Sequence, residues 1–390
     1  MSAPAPLPAA NPARPVAGRR DVVIHRDPAA YCSHPCITRT PEGDYLVAFC
    51  ETLPRRPHLH PPADPRFVNL VARSRDGGAT WEAPRVAPGY EWTGMQCPGI
   101  ARLSSGEILL SQWQFRWLPL ETARRLAGAG DPRPFLIRDP ATRRWRAPRA
   151  AADWERAGAP WARYDGGCFV QVSRDDGATW DETVRVETAP YPRGYSPRPV
   201  VELPDGDLLL ALGSEEDDTA GEHPTAAFVV RSADRGRTWG PPVAAVPAVP
   251  GRWVNEPALL PLPDGRLLLV ARERGQHLVT AESGDGGRTW APPAVTPVWG
   301  FPAHAVLLRD GRVLCVYGHR RPPYGIRACL SEDGGRTWRY DDERVVRDDL
   351  RNGNCGYPTA VQDPDGSVFV VYYAEDAAGV THILGSRFRL

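Results

Sequence analysis

One eight-residue pattern, Ser-x-Asp-x-Gly-x-Thr-Trp, occurs five times along the chain: SRDGGATW (74–81), SRDDGATW (173–180), SADRGRTW (232–239), SGDGGRTW (283–290) and SEDGGRTW (331–338). A unit recurring at such intervals cannot bury its own apolar face, so its copies must pack on one another in an array or a ring. Within each copy the chemistry is local. The Asp accepts backbone N–H bonds across a turn, the Gly takes a positive φ, the Thr closes the loop and the Trp packs under a neighbouring hairpin.

A second repeat interleaves with the first: a short strand, a turn ending in Gly, then a Leu/Val-rich strand. The turn glycines are Gly43, Gly106, Gly206, Gly265, Gly311 and Gly366. Six hairpins, with an octamer after each of the first five, make six four-stranded units. The sixth has no octamer, and DVVIHR (21–26) is its natural outer strand, joining the start of the chain to its end. Such closure leaves only short, protected sheet edges. The expected fold is all-β, a six-bladed β-propeller of four-stranded antiparallel blades forming one domain over residues 21–390. Residues 1–20 are expected to be a disordered Pro/Ala-rich leader. One insertion, about 112–165, separates the second hairpin from its octamer, and PLETARRLAGAG (119–130) within it reads as a short helix.

Composition removes several function classes. With 47 Lys+Arg against 47 Asp+Glu, the chain lacks the basic excess of a nucleic-acid binder. No apolar run reaches the roughly 18 residues that span a bilayer, and the first twenty residues contain no apolar signal region. A cytoplasmic location is therefore expected, with no membrane partner. Eight scattered cysteines read as reduced thiols rather than a disulfide framework. Every basic residue is arginine, which excludes a P-loop lysine and a Schiff-base lysine.

The octamers resemble the Asp-box (BNR) repeats of the sialidase superfamily, and the likeness spans about residues 21–390. In a propeller, residues entering the innermost strands converge on the axis. Counting nine back from each turn glycine gives His34, Cys97, Pro197, Glu256, Pro302 and Tyr357. In this family resemblance, Tyr357 (G-Y-P-T) matches the nucleophilic tyrosine, and Glu256 (N-E-P-A) matches the glutamate that deprotonates it. Arg272 (A-R-E-R) matches the second arginine of the triad that binds the substrate carboxylate. Asp64 resembles the acid/base aspartate of the first blade. For the third arginine, Arg327 (YGIRACLS) is the first choice, with Arg320 and Arg321 competing; His34 and His319 are further candidate substrate contacts.

The chemistry implied is coherent. An anionic nucleophile is repelled by a carboxylate on the anomeric carbon, so a neutral phenol serves instead. A free tyrosine, pKa about 10, needs an adjacent base. The resemblance implies a retaining exo-glycosidase acting on a terminal, possibly acidic, sugar without a cofactor. One departure stands out: Ser33 occupies the position of the first triad arginine, and Tyr373, with Glu375 nearby, that of its supporting glutamate. Both halves of one ion pair are replaced together, which favours a non-standard sugar. His34, His58, His60, His304 and His319 could gather near the axis beside Cys32 and Cys36, but their spacings match no standard zinc pattern, and no metal is expected. Trp113, Trp117, Trp145, Trp154 and Trp161 either stack on sugar rings at the mouth or bury the insertion. Two other readings stay open: a polysaccharide lyase on the same scaffold, using Tyr357 or a histidine as base, and a non-catalytic carbohydrate-binding propeller.

Overall fold

At each hairpin the turn closes through the same pair of backbone bonds, for example Leu262 N–H to Arg266 O (2.8 Å) and Gly265 N–H to Leu262 O (3.0 Å). Gly265 has φ of 84°, a conformation that penalises any residue with a Cβ. This is why a glycine ends each turn. The computed structural model describes residues 13–52, 65–88, 93–142, 145–181, 183–191, 194–195, 198–214 and 225–390.

Six four-stranded antiparallel sheets form the blades of a six-bladed propeller. From axis to rim, blade 1 comprises Tyr31–Arg39, Tyr45–Thr52, Val68–Ser74 and Arg85–Val86. Blade 4 comprises Val254–Pro261, Leu267–Glu273, His277–Ser283 and Ala294–Trp299, and blade 5 Ala303–Leu307, Val313–His319, Gly325–Ser331 and Arg344–Arg347. In blade 6, Gly356–Gln362, Val368–Glu375 and Thr381–Arg389 are completed by Ala17–His25 from the start of the chain. Adjacent blades share their cores: Leu203, Leu209 and Ala211 of blade 3 pack with Val254, Leu259 and Leu269 of blade 4.

The octamers behave as their composition dictates. Asp76 Oδ1 accepts the Thr80 N–H at 2.8 Å, Oδ2 accepts the Thr80 hydroxyl at 2.6 Å, and Ser74 Oγ accepts the Gly78 N–H at 2.8 Å. Trp81 stacks on Tyr45 and on Phe369 of the neighbouring sixth blade.

Two boundaries differ from the sequence reading. The leader is ordered before residue 20: Arg14–Pro15 pairs in parallel with the rim strand of blade 5, and Ala17–His25 pairs with Thr381–Arg389. Backbone bonds from Arg14 N–H to Glu343 O (2.8 Å) and Val16 N–H to Val345 O (3.0 Å) cover an edge that would otherwise be unpaired. Residues 1–12 lie outside the described residues. The insertion is shorter than 112–165, because Ile108–Pro119 and Trp161–Ser173 pair from Ser173↔Ile108 to Trp161↔Pro119, with one bulge between Tyr164 and Gly167. Beyond it lie helices Leu120–Gly128 and Ala151–Glu155. All five tryptophans of this segment are buried, in two clusters against the extended hairpin, so packing accounts for them.

None of the eight cysteines is in a disulfide, and all are buried. Among the described residues no helix is long and apolar enough to cross a membrane.

Candidate active site

Four of the six axial positions share an unusual backbone. His34, Cys97, Glu256 and Tyr357 have φ of 55°, 47°, 54° and 50°. A non-glycine residue there costs roughly 1–2 kcal/mol, and such strain persists only where its surroundings impose it. Each lies at a break in its ladder, between Ser33 and Cys36, Gln96 and Gly99, Asn255 and Ala258, and Gly356 and Thr359. Each is followed by proline, which has no N–H to orphan where the ladder lapses. In blade 4 the Glu256 N–H is satisfied by Asn255 Oδ1 at 2.8 Å. The bulge thus turns a side chain that alternation would direct into the sheet towards the axis. Of the other two axial positions, Pro302 follows a cis peptide bond, and Pro197 lies outside the described residues.

These bulges bring the expected pair together. The Tyr357 hydroxyl donates to Glu256 Oε1, and Arg272 Nη1 lies 3.4 Å from Glu256 Oε2. Tyr357 is 4% exposed and Glu256 2%, so their hydrogen bond works in a largely desolvated setting where it is strong. Burial first, and then the Glu256 carboxylate, push the phenol well above its ordinary value, while Arg320 opposes them. The phenol is therefore held in its protonated form. Arg272 is the more open cation, with a side chain 24% exposed; its guanidinium lies 3.9 Å from the Phe301 ring centre and its Nε makes no hydrogen bond.

The histidine and the three candidate arginines part company. The His34 ring meets the Tyr357 ring edge-on at 4.0 Å, and its Nδ1 lies 2.7 Å from Ser33 Oγ and 3.3 Å from Cys50 Sγ. Arg320 is the arginine placed against Tyr357, its guanidinium carbon 5.5 Å from the ring centre, held by Nε to Cys355 O at 2.7 Å and Nη2 to Tyr373 Oη at 3.4 Å. Arg327 instead pairs across strands with Tyr317 and acts electrostatically on Glu343 and His319. Arg321 lies over Trp299 at 4.0 Å and donates to His319 Nε2 at 3.2 Å, while His319 Nδ1 donates to Pro323 O at 2.9 Å. Burial holds the His319 imidazole down to about 4, the neutral form these bonds require. Asp64, with His58 and His60, lies outside the described residues.

The replaced ion pair is also visible. Ser33 is fully buried beside Cys50, and Tyr373 supplies a hydroxyl to Arg320. Glu375 engages Arg351 at 3.0 Å and Asn354 at 3.3 Å.

One residue escaped the sequence reading. Arg198, buried next to the axial position of blade 3, puts its guanidinium carbon 5.5 Å from the Tyr357 ring centre and donates Nη2 to Ala303 O at 3.2 Å. The other blades carry Pro or Ala at that place, and a charged residue in the P-R-P segment was the available signal. On the far side Arg198 and His304 line a cavity of about 510 Å³, open between the inner strands.

The family described as a BNR repeat-like domain matches residues 157–370. No curated protein matches in sequence. Among solved structures, a protein of unknown function from Dyadobacter fermentans is similar at 25% identity with a TM-score of 0.78, covering 96% of this chain and 99% of that one. The NanB sialidase of Streptococcus pneumoniae is similar at 12% identity and TM-score 0.65, covering 95% and 70%. The α-L-arabinanase of Penicillium chrysogenum follows at 15% identity and TM-score 0.59, covering 95% and 97%. At these last two identities the likeness is one of fold.

Proposed function

The chain belongs to the BNR repeat-like domain family, and from that premise we propose that it is a retaining glycoside hydrolase acting on a terminal sugar. The observation that carries this reading is the hydrogen bond from the Tyr357 hydroxyl to Glu256, made by two residues that both occupy strained, bulged positions on the axis. Two such conformations cost stability.

In the proposed reaction Tyr357 Oη attacks the anomeric carbon as its proton passes to Glu256 Oε1. Asp64, assigned from the sequence resemblance alone, protonates the leaving-group oxygen. It then takes a proton from the water that releases the sugar from Tyr357, and Glu256 returns its proton to the phenolate. Arg272, whose side chain is partly exposed, supplies a cation for a carboxylate on the sugar. Arg320 lies on the phenol rather than beside a second carboxylate site, and Ser33 offers no charge. These features support a sugar with fewer anionic contacts than a three-arginine clamp would hold.

A second reading, a carbohydrate-binding propeller without turnover, is favoured by how little of Tyr357 and Glu256 reaches the surface. A panel of aryl glycosides, including a sialoside and an arabinofuranoside, separates the two. Hydrolysis by the wild type that falls at least about 10³-fold in Tyr357→Phe and about 10²-fold in Glu256→Gln supports the enzyme. Equal turnover in either variant removes that residue from the mechanism. Sugar binding without turnover by any form establishes the binding propeller.

A further inference from the structure

His25, Cys32 and Glu51 come from three different strands and meet where the ring closes. His25 ends the closing strand of blade 6, while Cys32 and Glu51 are direct partners across the first hairpin of blade 1. His25 Nε2 lies 2.6 Å from Glu51 Oε2, Cys32 Sγ lies 3.4 Å from the same oxygen, and all three donor atoms fall within 4.8 Å of one another. Zinc bonds of about 2.0–2.3 Å in tetrahedral geometry set donors roughly 3.3–3.7 Å apart, so small side-chain rotations bring these three onto one ion.

The surroundings suit a cation. Glu51 has no arginine partner among the described residues, although the chain carries 47 basic residues and most of its described carboxylates are claimed by one. A thiolate and a carboxylate balance a divalent charge, with imidazole neutral. The Cys32 backbone is fixed by its N–H bond to Thr381 Oγ1 at 3.0 Å, and the His25 ring packs against Phe49 at 5.0 Å between centres. The His25 and Glu51 side chains are 17% and 21% exposed, which leaves a path for the ion and for a water as fourth ligand.

We propose that these three residues form a zinc site that clamps the closing strand to the first blade. The thiol excludes magnesium and calcium, which take oxygen ligands, and the mixed nitrogen, sulfur and oxygen set suits zinc. Binding displaces the thiol proton of Cys32 to solvent and replaces the direct His25–Glu51 hydrogen bond with bonds to the metal. The site is separate from Tyr357 and Glu256 and does not depend on the catalytic reading. Its neighbours in sequence, Ser33 and Cys50, face His34, so the metal would also hold the register of the strands that carry that side chain.

The test uses tag-free full-length protein equilibrated with micromolar zinc and then dialysed, with zinc measured by plasma mass spectrometry. One zinc per chain is expected, with the melting temperature rising on loading and falling on chelation. Cobalt substitution should give a thiolate-to-cobalt charge-transfer band that Cys32→Ser abolishes. His25→Gln, a change on a partly exposed rim strand, should weaken zinc binding at least tenfold while leaving the circular dichroism spectrum unchanged. Wild-type protein that retains no zinc, or a cobalt spectrum without the thiolate band, overturns the site. So does unchanged affinity in His25→Gln.

Discussion

The guanidinium carbon of Arg198 and that of Arg320 each lie 5.5 Å from the centre of the Tyr357 ring, while Glu256 accepts the hydrogen bond from its hydroxyl. The arrangement has a direction. While Glu256 is ionised its charge opposes the phenolate and offsets the cations. In the proposed reaction, once Glu256 has taken the proton that repulsion disappears and the two arginines remain, which favours the phenolate.

On the proposed mechanism, removing one cation weakens the nucleophile without touching the reacting atoms. Arg198→Met should lower kcat about 10- to 100-fold with a smaller change in KM. A KM effect with kcat unchanged would show that Arg198 binds substrate or only packs.

Arg272 is a partly exposed cation that contacts Glu256. Arg272→Gln should reduce kcat/KM about 10- to 100-fold on a substrate carrying a carboxylate beside the anomeric carbon, and less than about 3-fold on a neutral analogue. Parallel kinetics on an acidic and a neutral glycoside check this; equal losses on both would assign Arg272 to holding Glu256.

Histidines held in the neutral form by desolvation, His304 and His319 most strongly, make stability depend on mild acid. Burial holds His304 down to about 3, with Arg198 adding to the effect, and burial holds His319 down to about 4, against an ordinary value near 6.5. The unfolded chain therefore binds protons that the folded chain refuses, so the contribution is fully present above about pH 6.5 and is lost as pH falls towards 4. The slope is about 1.4 kcal/mol per pH unit for each histidine fully titrating in the unfolded state. Urea midpoints at pH 7.5, 5.5 and 4.5 should fall together with pH, and His304→Gln should flatten the fall by one proton's worth. An unchanged slope in that variant would show that His304 titrates normally.

The octamers hold turns and stay out of the chemistry. Asp333 accepts bonds from Ser331 Oγ, the Thr337 N–H and the Thr337 hydroxyl at 2.8, 2.8 and 2.6 Å. Asp333→Ala should cost about 1–3 kcal/mol of stability, read from denaturant midpoints, and leave kcat/KM within about twofold at a temperature where the protein is folded. A selective loss of turnover would mean that this rim turn reaches the site.

The propeller, its hairpin registers and the meeting of Tyr357 with Glu256 were legible in the amino-acid sequence, because each follows from short-range counting. A turn glycine fixes the hairpin, and nine residues back along an inner strand is a set distance from the axis whichever blade is counted. Arginine placement obeys no such count. Arg320 rather than Arg327 lies on the phenol, Arg198 joins it from the opposite blade, and Tyr373 answers Arg320 where a carboxylate was sought. Guanidinium groups sit at the end of long flexible stems, and where each comes to rest depends on the packing of neighbouring blades. The same reason hid the cluster of His25, Cys32 and Glu51: its members belong to strands paired only when the two ends of the chain close the ring.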